Sequence, residues 1–131
     1  SVSPLRRCAN DVSARELQFG DRQWFSGKSQ DTFCPIGPGI VPVSELADAG
    51  DLRVAQRLNG ETLQDSRTRN LIFGVRALVA FVSRALTLLP GDLILTGTPA
   101  GVGPIENGDT VSISIEGIGT LTNPVIRKGA K

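Results

Sequence analysis

Only one stretch of this chain repeats apolar residues at helical spacing over several turns. Leu71, Val75, Leu78, Val79, Val82, Ala85, Leu86 and Leu89 recur every three or four residues, and Pro90-Gly91 stops the run. That period predicts one long helix, over about residues 70–89. Elsewhere the readable period is two. Leu52, Val54, Gln56 and Leu58 alternate with Arg53, Ala55 and Arg57. Asn59-Gly60 follows, a two-residue hairpin signal because both residue types tolerate positive φ, and Glu61 to Gln64 returns as the partner strand. Val111, Ile113 and Ile115 alternate with Thr110, Ser112 and Ser114. Gly117-Ile118-Gly119 turns that strand and Thr120 to Ile126 returns. Leu93-Ile94-Leu95 reads as a short buried strand, and Asn10 to Gln18 as a turn entering a short helix. Residues 19–44, rich in Gly, Pro, Ser and Asp, read as an ordered loop region. The sum is a single β-rich α+β domain over 1–131, without the regular strand–helix alternation of a doubly wound sheet.

The 131 residues include no histidine, which excludes a Ser-His-Asp triad, a Cys-His dyad and a HExxH zinc site in this chain. Fourteen Lys and Arg against 13 Asp and Glu leave a net charge of +1, so a nucleic-acid partner is not expected. No apolar run reaches the roughly 18–20 residues of a membrane span. The longest candidate, Leu71 to Leu89, is interrupted by Arg76, Ser83, Arg84 and Thr87. Cys8 and Cys34 make neither a CxxC pair nor a dense framework, so a reducing, cytoplasmic location is the expectation. The opening Ser-Val-Ser-Pro-Leu-Arg-Arg lacks an initiator Met and a signal-type apolar segment, and suggests a processed or truncated chain.

Three segments carry residues with chemistry. Arg15 and Gln18 share one side of a helical turn, with Asp11 at or before its start; the alternative is a helix cap beside a solvated arginine. Gly27-Lys28-Ser29 looks like the tail of a P-loop. Arg22 stands where the upstream glycine belongs, so nucleotide binding is not supported. Lys28 in an aromatic-rich loop could hold an anion or an enolate, or be an ordinary exposed lysine. Thr96 to Gly103 is glycine-rich, fit either for backbone approach to an anion or for a tight structural turn.

Taken in order, Asn10-Asp11-Val12-Ser13-Ala14-Arg15-Glu16-Leu17-Gln18, the segment Gly27 to Pro38, Leu58-Asn59-Gly60-Glu61, Gln64-Asp65-Ser66, Leu89-Pro90-Gly91-Asp92 and Leu95 to Gly103 resemble the motifs of the fumarylacetoacetate hydrolase superfamily. The resemblance runs from about Asn10 to Val125. It implies a C-terminal catalytic domain of the mixed β-roll type, usually a homodimer, with one Mg²⁺ or Mn²⁺. The implied reaction is hydrolysis or lysis of a C–C bond in an acylpyruvate-like 2-keto acid through a metal-stabilised enolate. Isomerisation of the 2-hydroxyhepta-2,4-diene-1,7-dioate type and oxaloacetate decarboxylation are the alternatives within it. By the same resemblance Asp11 is a metal ligand, Lys28 and Arg15 are catalytic, and Gln18, Thr32, Thr98 and Gly97 bind substrate.

The family draws two further metal ligands from a Glu-x-Glu strand upstream of the aspartate. Glu61, Glu106 and Glu116 stand singly here, so those ligands are expected from a segment preceding this chain. The strand into Asp11 carries Arg6 and Arg7 where the family pattern is apolar, and residues 1–9 read as atypical. Two readings follow: part of a 2-keto-acid enzyme, or a non-catalytic remnant that keeps a substrate-like pocket. As a lone chain, an open strand edge and an uncovered apolar face predict instability or self-association.

Overall fold

A computed structural model of the chain describes residues 5–20 and 23–127. The first strand, β1 (Leu5–Ala9), pairs antiparallel with β2 (Ile36–Pro42), and between them lie two short helices, α1 (Arg15–Gly20) and α2 (Phe25–Lys28). A second sheet has the order β4-β3-β5-β6, with β3 Arg53–Leu58, β4 Glu61–Arg67, β5 Thr110–Ile115 and β6 Gly119–Pro124. Every pairing among the described residues is antiparallel. One longer helix, α3 (Val75–Ala85), stands between β4 and β5 in the chain. The fold is α+β and strand-rich.

The β3–β4 hairpin turns where the Asn-Gly signal placed it. Asn59 and Gly60 sit at φ 51° and 90°, the left-handed pair that matches the twist of flanking strands. The Asn59 side chain then reaches across: it donates to Asp109 (2.8 Å) and accepts from the Thr110 amide (2.8 Å), fastening the hairpin to the start of β5. β5 lies next to β3, with Val54 opposite Ile115 and Leu58 opposite Val111. Alternation then sends Val111 and Ile113 into the core. There they meet Cys8 from β1, which is wholly buried, with Leu58, Ile105, Ile115, Ile118, Leu121 and Val125 around them. The Cys8 thiol donates to the Gly119 carbonyl at 3.4 Å, so the two-stranded sheet is stitched to the four-stranded one.

Three expectations from sequence are corrected. The helix is 11 residues, not the span 70–89. Thr68–Asn70 forms a 3₁₀ turn, Gly74 is extended at the N-cap, and Leu86 is already extended at the C-cap, four residues before Pro90. None of the α3 residues is buried among the described residues, so its apolar stripe has no packing to hold further turns. Leu93-Ile94-Leu95 forms no ladder and both leucines are half exposed, because a strand needs a partner and none of the described strands supplies one. The loop region 19–44 contains a helix, α2, and a strand, β2. Gly37, Pro38 and Gly39 disguise β2, yet Pro is tolerated where only one side is paired, and β2 pairs with β1 alone. The strand expected to lead into Asp11 is present as Leu5–Ala9, paired with β2, while residues 1–4 of the segment read as atypical lie outside the described residues. The expected cost of its arginines is visible. Burial pulls Arg6 below its ordinary pKa, and Arg7 Nε is buried with no hydrogen-bond partner among the described residues.

Candidate functional site

The chain leaves β1 at Asn10, whose amide is held by the Pro35 carbonyl (3.1 Å), and turns into α1. The Ala14 amide donates to the Gly27 carbonyl (2.8 Å), which docks the start of α1 on α2. Gly27 is needed for that contact. A Cβ there would lie 2.9 Å from the Gln18 amide nitrogen and 3.0 Å from its Cα. The close approach brings residues 11 and 28 together. The Lys28 ammonium donates to Asp11 Oδ2 and to Ser13 Oγ (3.2 Å), and lies 5.9 Å from the centre of the Trp24 ring. Three different attractions, ionic, hydrogen-bonded and cation–π, thus fix one cation that is only a quarter exposed. That is a prepared positive charge at the mouth of a turn.

Arg15 turns elsewhere: its guanidinium donates to Gln18 Oε1 at 2.6 Å. Gln18 is itself 3% exposed, so its polar end is spent on Arg15 and holds that guanidinium in one direction. Thr32 is exposed and sits at φ 69°. A β-branched residue in the left-handed region is uncommon and strained, the kind of backbone found at binding turns. Thr98 and Gly97 (φ 111°) belong to the 96–103 loop, which is tied to β4 by the Gln64 side chain. Asp11, Ser13, Lys28 and Trp24 therefore form one cluster, and Thr98 with Gln64 another; among the described residues no hydrogen bond joins the two.

The described residues do not by themselves fit a divalent metal. Asp11 is the one carboxylate at the cluster and is already paired to an ammonium. Among the described residues no group of three His, Cys, Asp or Glu side chains is placed to hold an ion.

Two clefts lie away from this cluster. One of about 430 Å³ is lined by Asp51, Arg67 and Glu116, and one of about 680 Å³ by Arg53, Arg57, Ser114 and Thr120. Most of their charged groups already satisfy one another. Arg67 donates to Asp51 (2.6 Å) and Glu116 (3.2 Å), and Arg53 forms a fork on Asp65 (2.8 and 2.5 Å). Those partners hold the Asp51 and Asp65 carboxyls below their ordinary range. This is a charge ladder bracing the outer face of the sheet.

Sequence reasoning missed Ser13, Trp24 and Gln64 as participants. Ser13 and Trp24 gave no signal beyond proximity to Asp11 and Lys28. Gln64 did give one: it is a polar residue at an inward position of an alternating strand, and it is 6% exposed.

Residues 7–126 match the family described as Fumarylacetoacetate (FAA) hydrolase C-terminal. The structure superposes with a TM-score of 0.90 on 2-hydroxyhepta-2,4-diene-1,7-dioate isomerase from Mycobacterium marinum, at 59% identity over 95% of this chain and 48% of that one. A fumarylpyruvate hydrolase from Pseudomonas aeruginosa, solved in complex with Mn²⁺ and pyruvate, superposes with a TM-score of 0.87 at 35% identity, over 93% and 54% of the two chains. Mitochondrial oxaloacetate tautomerase FAHD2A from Bos taurus is 44% identical over 127 residues, covering 90% of this chain and 40% of its own length. The chain spans about half the length of the curated relatives it matches.

Proposed function

This chain belongs to the fumarylacetoacetate hydrolase family, and on that premise we propose that the protein acts on small 2-keto acids by stabilising their enolates. The relatives include a hydrolase, an isomerase and a tautomerase. Those three reactions have an enolate or enol in common: each passes electrons onto or off the oxygen at C2 of the substrate. The observation that carries the proposal is the Lys28 ammonium, held by Asp11, Ser13 and the Trp24 ring. A fixed cation near a developing oxyanion needs no reorganisation at the moment of reaction and is partly screened from water, where charge stabilisation is strongest. Thr98, beside the positive-φ Gly97, offers a hydroxyl to the substrate carboxylate, and Arg15, aimed by Gln18, adds a second positive charge on the α1 side.

Cleavage of an acylpyruvate C–C bond is the reaction we favour. Water adds to the acyl carbonyl, the bond to the pyruvyl methylene breaks, its electron pair passes to the keto oxygen as an enolate, and a proton returns to carbon. Asp11 is the carboxylate this chain would bring to a metal site completed by ligands outside the described residues.

Proton exchange at the pyruvate methyl, followed by NMR in deuterated buffer, tests the shared part of this chemistry. The protein is expected to accelerate exchange, and Lys28→Met to lower the acceleration by about 10²-fold or more, the scale of removing one oxyanion donor. Exchange no faster than in buffer, with folded protein, would instead favour the non-catalytic reading.

A further inference from the structure

The 96–103 loop has no regular structure, yet it is seated hard on β4. Gly101, at φ 99°, lies so close to the Leu63 carbonyl that a Cβ would overlap it. One residue along, Gln64 turns its side chain into the same contact. Its Nε2 is 2.7 Å from the Pro99 carbonyl and 2.9 Å from Thr98 Oγ1, while its Oε1 is 3.3 Å from that same Oγ1.

These three distances fix which way the protons run. A carbonyl can only accept, so the atom facing Pro99 must be the amide nitrogen, and the orientation of the amide follows from the network. One N–H goes to Pro99 and the other to Thr98 Oγ1. The hydroxyl oxygen is then engaged as an acceptor. Among the described residues its own proton goes to Gln64 Oε1 at 3.3 Å, a long bond beside the roughly 2.7–2.8 Å of a good O–H···O contact. Thr98 is thus a donor whose bond is weak enough for a carboxylate to displace.

We propose that Gln64 is a positioning residue: it holds the Thr98 hydroxyl as a hydrogen-bond donor aimed at the carboxylate of the bound 2-keto acid. The inference rests on the reading of Thr98 as a substrate contact. Gln64 does not touch the substrate. It decides whether Thr98 presents a proton or a lone pair to an anion, and an anion repels the second.

Oxalate binding, followed by calorimetry on the protein as the cell makes it with Mn²⁺ supplied, tests this without an activity assay. Gln64→Glu keeps the size of the side chain but reverses its hydrogen bonding. The carboxylate cannot donate to Pro99 and instead draws the Thr98 proton toward itself. Oxalate affinity is expected to fall about 10-fold at about pH 8, a step of about 1.4 kcal/mol. Burial raises a carboxyl pKa, so the affinity relative to the unsubstituted protein should recover toward about pH 5.5, as the new carboxyl gains a proton and can donate again. Gln64→Met, which removes all polarity, should weaken binding less and without that pH dependence, and it carries the cycle if the Glu variant fails to fold. In a Thr98→Val background both Gln64 effects should vanish, since Gln64 then has no hydroxyl to orient.

Equal losses with and without the Thr98 hydroxyl would overturn the inference and make Gln64 a structural residue. So would a Thr98→Val loss unaccompanied by any Gln64 effect, and in that case the reading of Thr98 would survive. Unchanged affinity in Thr98→Val alone would overturn the reading of Thr98, and the inference with it.

Discussion

Two glycine-to-alanine substitutions in neighbouring short helices should move stability in opposite directions. Gly20 ends α1 with nothing among the described residues within 4 Å of where a Cβ would stand, and its φ is not positive. Alanine there restricts only the unfolded chain, so Gly20→Ala should stabilise by about 0.4–1 kcal/mol. Gly27 has the same intrinsic gain available, but its Cβ would stand 2.9–3.0 Å from three Gln18 atoms, two of them backbone. Ordinary van der Waals contact begins near 3.4 Å, so α1 and α2 must part by a few tenths of an ångström. Overpacking of this kind costs about 1–3 kcal/mol, which offsets or outweighs the gain, for a net loss of up to about 2.5 kcal/mol. The separation also stretches the 2.8 Å bond from Ala14 to the Gly27 carbonyl and displaces Lys28 from Asp11, so ligand binding should suffer beyond the loss of stability. Urea denaturation of both variants, with oxalate calorimetry on each, measures the two effects. A Gly27→Ala variant as stable as Gly20→Ala, with oxalate bound normally, would mean that the α1–α2 contact does not position Lys28.

Further expectations concern the frame and the ions. Gly60→Ala, at φ 90°, should lose about 1–2 kcal/mol in the same urea assay, the usual cost of left-handed backbone for a residue with a Cβ. The Asp51 and Asp65 carboxyls are held low, first by hydrogen bonds from Arg67 and Arg53 respectively. A depressed folded-state pKa gives stability that is complete above the unfolded value of about 3.9 and is lost as pH falls through the folded value. Asp51→Asn should therefore lower stability at neutral pH and flatten the acid limb below about pH 4; an unchanged acid limb would remove Asp51 from the account. The 131-residue chain by itself should show no saturable Mn²⁺ binding by calorimetry, because among the described residues no other His, Cys, Asp or Glu pair joins Asp11 to make a site. Tight binding abolished by Asp11→Ala would show that ligands come together in some other way, such as across a dimer. Ile72, Phe73, Phe81 and Leu86 are all largely exposed. The 131-residue chain should accordingly self-associate in sedimentation, and a Phe81→Glu, Leu86→Lys double variant should sediment as a smaller species.

What the sequence showed in advance follows from range. The β3–β4 hairpin was legible because Asn59-Gly60 encodes its own turn, and β5–β6 because Val111, Ile113 and Ile115 alternate beside a glycine turn. The ends of α3 were not, since its period continues to Leu89 while none of its described residues is buried to hold a further turn. β2 was hidden because Gly37, Pro38 and Gly39 are poor strand formers, tolerable only in an edge position that β1 creates. At the site, Asp11 and Lys28 were singled out through ordered motifs, but their ion pair spans 17 residues and depends on the absence of a side chain at Gly27. The resemblance names Arg15 and Lys28 together as catalytic, but only contacts between distant residues separate them: among the described residues Lys28 engages Asp11 and Arg15 engages Gln18.

The Asn59 side chain has a consequence for how much this fold can vary. It ties the hairpin to Asp109 and Thr110, and the Asn59 amide donates to the Thr110 carbonyl (2.9 Å). The two central strands, β3 and β5, thereby close a polymer loop whose ends meet at one point. After β4 returns to the sheet, everything from residue 68 to 109, including α3 and the Thr98 loop, hangs from that closure. The entropy of closing a loop grows only with the logarithm of its length, about 0.6 kcal/mol for a doubling. Segments could be inserted or deleted between Asn70 and Glu106 at small cost to the sheet, provided the Gln64 and Gly101 seats on β4 are kept. The stretches on either side of the Thr98 loop are thus the parts that the frame leaves freest to change.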